Sequence, residues 1–133
     1  MGCDIHAWIE VKRDGTWCSV DLPDGEDGLS WFRCYACFGG LAGVRGGPPI
    51  VEPRGLPEDA NKGPREVWDQ DWCHTPTWLT LAELIASERD ERWNSESNWH
   101  DGDTPCAVRR AKRIVGLLPD SPEDIRVVFF FDN

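Results

Sequence analysis

The first twelve residues constrain the fold most strongly, because apolar and polar side chains alternate in them with the period of a β-strand. The apolar positions of this strand are Ile5, Ala7, Ile9 and Val11. Asp4 and His6 fall together on the other face, since successive strand residues point to opposite sides of a sheet. The best partner for this strand is the apolar, β-rich run 125–133. We therefore expect one sheet that contains both the N-terminal and the C-terminal strand.

Turn and capping signals place the next elements. The Asp14-Gly15 pair predicts a tight hairpin that leads into a second strand over 16–20. An N-cap serine followed by regularly spaced apolar side chains predicts a helix over 31–42. Repeated glycine and proline over 43–64 predict a long irregular segment.

Two further helices are predicted in the second half of the chain. A capping box at Thr80 begins a helix that runs to about Arg89, and the polar, tryptophan-rich stretch 66–77 ahead of it is expected to be a loop. A threonine-proline pair begins a third helix over 104–118.

This order of elements predicts a single α+β domain over 1–133. We expect a small antiparallel or mixed sheet, packed with about three helices and long irregular loops. A chain of this length can bury a sufficient core without disulfides.

Charge and composition exclude several classes of function. The chain has 24 acidic and 14 basic residues and a net charge of −10, which disfavours binding to duplex nucleic acid or to an anionic membrane. No apolar run reaches the length of a membrane span, and the first residues lack the pattern of a signal peptide. We therefore expect a cytoplasmic protein whose six cysteines are thiols.

Histidines and carboxylates form the first candidate site. His6 lies beside Asp4, a carboxylate that can orient an imidazole, although a packed histidine would show the same pattern. His74 precedes a helix N-terminus, where free N–H groups favour anions. Asp4, His6, His74 and Asp132 together are a reasonable set of ligands for a divalent metal, which the spacing does not require. Cys34 and Cys37 are half of a zinc site without a second half, so structural zinc is disfavoured.

Arginines and aromatic residues form the second candidate site. Arg45 and Arg54 stand beside glycines, which allow a ligand to approach the backbone, and guanidinium groups suit phosphate. The alternative for each arginine is an ordinary pair with a carboxylate. Eight tryptophans are more than a small core needs, so some are expected to stack on a ligand or a partner. The predicted ligand-binding residues are Arg45, Arg54, Trp72, Thr75, Thr77 and Trp78.

Several segments taken together resemble a family of small bacteriophage proteins that begin Met-Gly-Cys-Asp-Ile-His and end Phe-Asp-Asn. The similar segments are 1–6, 38–46, 54–59, 74–81 and 131–133. Relatives commonly have His-Ser-x-Ser-Trp-Leu-Thr where this chain has His-Thr-Pro-Thr-Trp-Leu-Thr from His74 to Thr80. The resemblance implies a phage protein that acts in the cytoplasm of an infected bacterial host. Small phage accessory proteins often counter host defence, and some bind or cleave nucleotide signals.

From the residues and the resemblance we expect a counter-defence protein that acts on a small phosphate-bearing nucleotide, by phosphodiester cleavage of a cyclic nucleotide. His6 would be base or metal ligand, His74 acid or ligand, and the two arginines would stabilise developing charge. Two alternatives stay open, namely a sponge that sequesters the nucleotide and an inhibitor that binds a host protein. A homo-oligomer with a shared pocket also stays open, as does a divalent metal.

Overall fold

The computed structural model describes residues 5–20, 41–43, 49–68, 73–89 and 106–132. Its strands are β1 (Ile5–Arg13), β2 (Thr16–Ser19), β3 (Cys73–Thr80) and β4 (Ile125–Asp132). Its helices are α1 (Lys62–Trp68), α2 (Leu81–Ala86) and α3 (Cys106–Leu117), with short 3-10 helices over Ser87–Arg89 and Pro122–Asp124. None of the helices in this described part of the chain is long and apolar enough to cross a membrane.

The four strands form one antiparallel sheet in the order β2-β1-β4-β3. Strand β1 pairs with β4 from Ile5 opposite Phe131 to Val11 opposite Ile125. The predicted α+β class, with the N-terminal and C-terminal strands in one sheet, is therefore confirmed. The hairpin between β1 and β2 turns at Asp14 and Gly15, both at positive φ as the Asp-Gly signal predicts.

One face of the sheet packs against α2 and α3 and forms the main core. The apolar face predicted for β1 contributes Ile5, Ile9 and Val11 to this core, and the helices contribute Leu84 and Val108 among others. Alternate residues of β4 complete the core, namely Ile125, Val127, Phe129 and Phe131, all fully buried. We call this side the core face.

The other side of the sheet, which we call the second face, is contacted by residues 59–61 and by α1. The backbone N–H of Asn61 donates to Glu10 in β1, and Trp68 of α1 packs edge-on against Phe130 of β4. Val128 and Phe130 are fully buried on this side. Strand β4 is therefore buried on both faces, which explains its nearly continuous apolar sequence.

Two elements, β3 and α1, were wrongly predicted as irregular or loop segments. Strand β3 contains Pro76 and a register shift between His74 and Thr77, where Thr75 has a φ of 53°. Proline and a bulge break the alternation by which a strand is recognised in a sequence. Helix α1 has only seven residues, fewer than a helix needs to show a clear apolar period.

The capping box at Thr80 is confirmed. Its side chain accepts a hydrogen bond from the backbone N–H of Glu83, and the Glu83 carboxylate accepts one from the backbone N–H of Thr80. The third predicted helix is confirmed as α3, although its predicted start at 104–105 lies outside the described residues. Most of the helix predicted over 31–42 also lies outside them, and its last two residues are helical.

Candidate functional site

His6 lies in a group of aromatic rings on the second face of the sheet. Its imidazole stacks on Trp8 with 6.5 Å between ring centroids and lies 5.7 Å from Phe130. Phe130 also contacts Trp8 at 5.4 Å and Trp68 at 5.3 Å. Phe130 is fully buried, whereas the other three rings are half-buried. We call His6, Trp8, Trp68 and Phe130 the aromatic cluster.

Strand pairing fixes three of these four rings. His6 and Trp8 are two residues apart in β1 and so share a face, and Phe130 lies directly opposite His6 in β4. Trp68 comes from the last residue of α1, which contacts β1. The cluster therefore rests on two central strands, and only Trp68 is contributed by another element.

His74 lies in a different environment, on the core face. It is opposite Phe131, and the imidazole stacks on that ring at 5.9 Å. Its Nδ1 lies 2.9 Å from the Thr75 hydroxyl. Its Nε2 is buried and has no hydrogen-bond partner among the described residues. The prediction that His74 lies in a loop ahead of a helix is wrong, because β3 extends from Cys73 to Thr80.

The sheet therefore separates the two histidines that the sequence suggested as an acid and base pair. Their partners in β4, Phe130 and Phe131, are adjacent residues and point to opposite faces. A bound phosphate on either face has direct access to only one of the two imidazoles. The arrangement does not support a reaction in which His6 and His74 act on one phosphate.

A buried ion pair lies on the second face beyond the aromatic cluster. Arg126 donates from Nε to Glu10 at 2.7 Å and from Nη1 to Asp59 at 3.1 Å. The side chains of Arg126 and Glu10 are only 2% and 0% exposed. The Arg126 guanidinium lies 4.1 Å from the ring centroid of Trp17 and 5.5 Å from that of Trp78. Trp17 and Trp78 therefore each pack a ring against Arg126, a contact within the protein.

Arg54 has an internal partner as well. Both ends of its guanidinium donate to the Glu83 carboxylate, with 2.8 Å between Nη1 and Oε1. The same group lies 4.7 Å from the centroid of Trp78. The hydrogen bond from Arg54, partly offset by burial, lowers the pKa of Glu83 to about 2. Arg54 remains 31% exposed, so its outer surface is still accessible to an anion.

The predicted threonines also make contacts within the protein. Thr77 is 2% exposed, and its hydroxyl accepts a hydrogen bond from the backbone N–H of Arg54 at 3.1 Å. The Thr75 hydroxyl lies against His74. Both hydroxyls therefore have partners within the protein, and the predicted contacts of Thr75 and Thr77 with a ligand stay a prediction.

Several predicted site residues lie outside the described residues, namely Asp4, Arg45, Trp72, Cys34, Cys37 and the side chain of Asp132. Within the described residues, no group of three or more histidine, cysteine, aspartate or glutamate side chains is arranged to hold a metal ion. Neither Cys18 nor Cys73 forms a disulfide within the described part of the chain. Of the predicted catalytic residues, His6 and His74 are described, and His6 is the one that lies on the second face of the sheet.

The sequence interpretation did not identify Glu10 or Arg126 as important. A signal for the ion pair was present, because Glu10 and Arg126 are opposite charges inside two strands that were expected to pair. Trp68 was among the loop tryptophans of which some were expected to stack on a ligand or a partner, but its contact with Phe130 was not predicted, since its position depends on the unpredicted helix α1.

Comparison with protein-family models, curated proteins and solved structures found no match to this chain.

Proposed function

We propose that this protein binds a small phosphate-bearing nucleotide at the aromatic cluster and sequesters it without cleaving it. The observation that carries the proposal is the arrangement of His6, Trp8 and Trp68 around Phe130, with the first three rings half-buried. Flat rings that remain partly accessible are suited to stacking against a nucleobase. Such stacking is worth about 1–3 kcal/mol per base.

The cluster is a rigid support for such a ligand. Phe130 is fully buried in the central strand β4, and His6 and Trp8 lie on the neighbouring strand β1. A ring that is already fixed loses little conformational entropy when a ligand stacks on it. This preorganisation favours binding even where few polar contacts are made.

Arg54 is the candidate contact for the phosphate. Trp8 and Trp78 both pair with Val128, from opposite sides of β4, so they are two strand spacings or roughly 10 Å apart. The Arg54 guanidinium lies over Trp78 on this same face. A phosphate would share the guanidinium with Glu83 or replace Glu83 as its partner. The ligand would then extend from the aromatic cluster towards the edge strand.

Sequestration fits this geometry better than phosphodiester cleavage. Cleavage by general acid–base catalysis needs two groups within hydrogen-bond reach of the reacting phosphate. His6 is the one histidine that the described residues place at the cluster, and His74 lies on the core face. In an infected cell, a nucleotide signal held in this way would be withdrawn from the effector that it activates.

A thermal-shift screen of cyclic and linear nucleotides tests the proposal. A ligand at a concentration about 100 times its Kd stabilises the folded state by about 2.7 kcal/mol, which raises Tm by several degrees. The two histidines provide a matched pair of variants. We expect His6→Ala to reduce the shift and His74→Ala to preserve it, after circular dichroism has shown that both variants fold. A shift that both variants preserve would place the ligand elsewhere.

Recovery of the ligand distinguishes binding from catalysis. The nucleotide that gives the largest shift is incubated with the protein, with and without divalent metal, and then released by heat denaturation. Sequestration predicts that chromatography returns the nucleotide unchanged. Appearance of a linear product would establish cleavage and overturn the proposal. If no nucleotide raises Tm, the inhibitor of a host protein becomes the better hypothesis.

A further inference from the structure

We propose that the site at Arg54 selects a phosphate group with a single negative charge, as in a phosphodiester, over the doubly charged phosphate at the end of a nucleotide. This inference rests on the proposed function, because it concerns the phosphate contact of the same nucleotide site. The residue that makes the distinction is Glu83, which pairs with Arg54. Glu83 is therefore a specificity-determining residue beside the one that contacts the phosphate.

Arg54 retains two hydrogen-bond donors for a ligand. Of the five N–H groups of a guanidinium, those of Nη1 donate to Glu83 at 2.8 Å and to the backbone oxygen of Trp78 at 3.3 Å. One N–H of Nη2 donates to the second carboxylate oxygen of Glu83. Within the described residues, the N–H of Nε and the other N–H of Nη2 have no acceptor. These two N–H groups point to the same side of the planar guanidinium group and form a fork for two oxygen atoms.

The fork matches a phosphodiester, which has two non-bridging oxygens and one negative charge. A terminal phosphate has a third oxygen and a charge close to −2 at neutral pH, so it needs a second cation. Arg126 also lies over Trp78, but its side chain is only 2% exposed. It pairs with Glu10 and Asp59, so it supplies no second contact for this charge.

Glu83 stays beside Arg54 when a ligand binds, because other contacts hold both residues in place. Oε1 of Glu83 accepts a hydrogen bond from the backbone N–H of Thr80 at 3.0 Å, as part of the capping box. The backbone N–H of Arg54 donates to the hydroxyl of Thr77 at 3.1 Å, and its guanidinium group lies 4.7 Å from the ring centroid of Trp78. A phosphate at the fork therefore shares Arg54 with Glu83 and does not displace the carboxylate.

The shared carboxylate opposes a second charge on the phosphate. The hydrogen bond from Arg54 lowers the pKa of Glu83 to about 2, so the carboxylate is negatively charged at neutral pH. It cancels part of the attraction of Arg54, and it repels a doubly charged phosphate twice as strongly as a singly charged one. The cost of removing an ion from water also rises steeply with its charge. The site therefore favours a phosphodiester, in a cyclic or a linear nucleotide, over a terminal phosphate.

Isothermal titration calorimetry with probes that differ by one charge tests this selection on the full chain. The probes are the 5′-monophosphates of adenosine, guanosine, cytidine and uridine, and the methyl esters of the same four compounds. At about pH 7.5 a monophosphate carries a charge near −2, whereas its methyl ester is singly charged. We expect the wild type to bind the ester of at least one nucleoside about fivefold more tightly than the matching monophosphate. Arg54→Ala should weaken the binding of that ester.

Glu83→Gln separates the effect of charge from that of the methyl group. It keeps a side-chain oxygen for the capping box and removes the negative charge. The preference for the ester should fall to about twofold or less in this variant, because the monophosphate gains more affinity than the ester. Asp120→Asn is the matched control, since Asp120 also makes a two-point contact with an arginine, Arg13. Arg13 lies in β1, which β4 separates from β3, so this control should keep the wild-type preference.

Each variant is compared with the wild type after circular dichroism has shown that it folds. The inference is overturned if the wild type binds the monophosphate as tightly as the ester, if Glu83→Gln keeps the full preference, or if Asp120→Asn reduces it equally. Unchanged binding of the ester by Arg54→Ala would place the phosphate elsewhere and overturn it as well. Absence of binding by all the probes overturns this inference, and the thermal-shift screen with cyclic nucleotides decides separately whether the proposed function holds.

Discussion

His6 and His74 are held on opposite faces of one sheet, because they lie opposite Phe130 and Phe131, which are adjacent in β4. Each imidazole packs on the ring of its own partner, at 5.7 and 5.9 Å. The alternation of side chains along β4 therefore determines on which face of the sheet each histidine packs.

Arg126→Met should be among the most destabilising substitutions in the protein. It leaves the Glu10 carboxylate, which is 0% exposed, without the guanidinium that now pairs with it. Loss of one partner of a buried ion pair typically costs about 3–5 kcal/mol. Urea denaturation followed by circular dichroism measures this loss. The double variant Glu10→Leu with Arg126→Met should recover part of the stability, because it removes the buried charge.

Arg13→Ala is the matched comparison for that experiment. Arg13 also makes a two-point contact with a carboxylate, that of Asp120, but its side chain is 50% exposed. Exposed ion pairs contribute little, because water and salt screen them. We expect the urea midpoint to be close to that of the wild type. A loss as large as that of Arg126→Met would show that burial is not what distinguishes the two pairs.

Glu83→Gln should remove the charged contact with Arg54 and change the dependence of stability on pH. A glutamine oxygen can still accept the capping-box hydrogen bond from the backbone N–H of Thr80, so the loss of the half-exposed ion pair should cost about 1 kcal/mol or less. The pKa of Glu83 is about 2 in the folded protein, below the ordinary value of 4.5. Its stabilising effect is therefore present above pH 4.5 and is lost as the pH falls towards 2.

Denaturation curves measured across this pH range test the assignment. The wild type should lose more stability than Glu83→Gln between pH 4.5 and pH 2, because the variant has no carboxylate to protonate at this position. Identical pH profiles would mean that Glu83 does not make the contact with Arg54 in solution.

Thr75→Asn should be neutral or stabilising. Thr75 has a φ of 53°, in the left-handed region where a β-branched residue is strained and asparagine is tolerated. The asparagine side chain also retains a polar atom near His74. Thr75→Val is the contrasting variant, because it keeps the strain and removes the hydroxyl 2.9 Å from His74 Nδ1. A Tm for the valine variant equal to that of the asparagine variant would contradict this account.

Phe129→Ala tests the main core. The side chain is fully buried on the core face and packs edge-on against Phe131 at 6.0 Å. Truncating a buried phenylalanine costs about 3–5 kcal/mol, because apolar contacts are lost and a cavity remains. Phe129→Leu should lose much less. If both variants lose the same free energy of unfolding, the surrounding residues must fill the space left by the phenyl ring, and a cavity does not explain the loss.

The sequence predicted those parts of the fold that depend on short-range patterns. The alternation from Ile5 to Val11, the Asp14-Gly15 turn and the capping box at Thr80 each specify a local conformation, and all three are present. Pairing between β1 and β4 was also predictable, since each terminal run had an apolar face and needed a partner.

The position of His74 could not be predicted in this way. Its strand is interrupted by the bulge at Thr75 and by Pro76, so the local sequence favours a loop. Pairing with β4 on both sides of the bulge, from Cys73 opposite Asp132 to Thr80 opposite Arg126, overrides that preference. The sequence allows Arg54 either to bind a phosphate or to pair with a carboxylate. Its carboxylate partner in the structure, Glu83, is 29 residues away in the chain, so no local pattern identifies this pair.

The pairing of β1 with β4 also determines when the protein can fold during its synthesis. Glu10 and Arg126 are 116 residues apart in sequence, yet they form a buried pair between neighbouring strands. Strand β4 lies between β1 and β3, so a growing chain that lacks β4 cannot join these two strands into one sheet. The core must therefore assemble late, after a long loop has closed. Until β4 has been synthesised, the apolar side of β1 lacks the strand that covers it in the sheet, so synthesis of β4 is the step that allows this core to form.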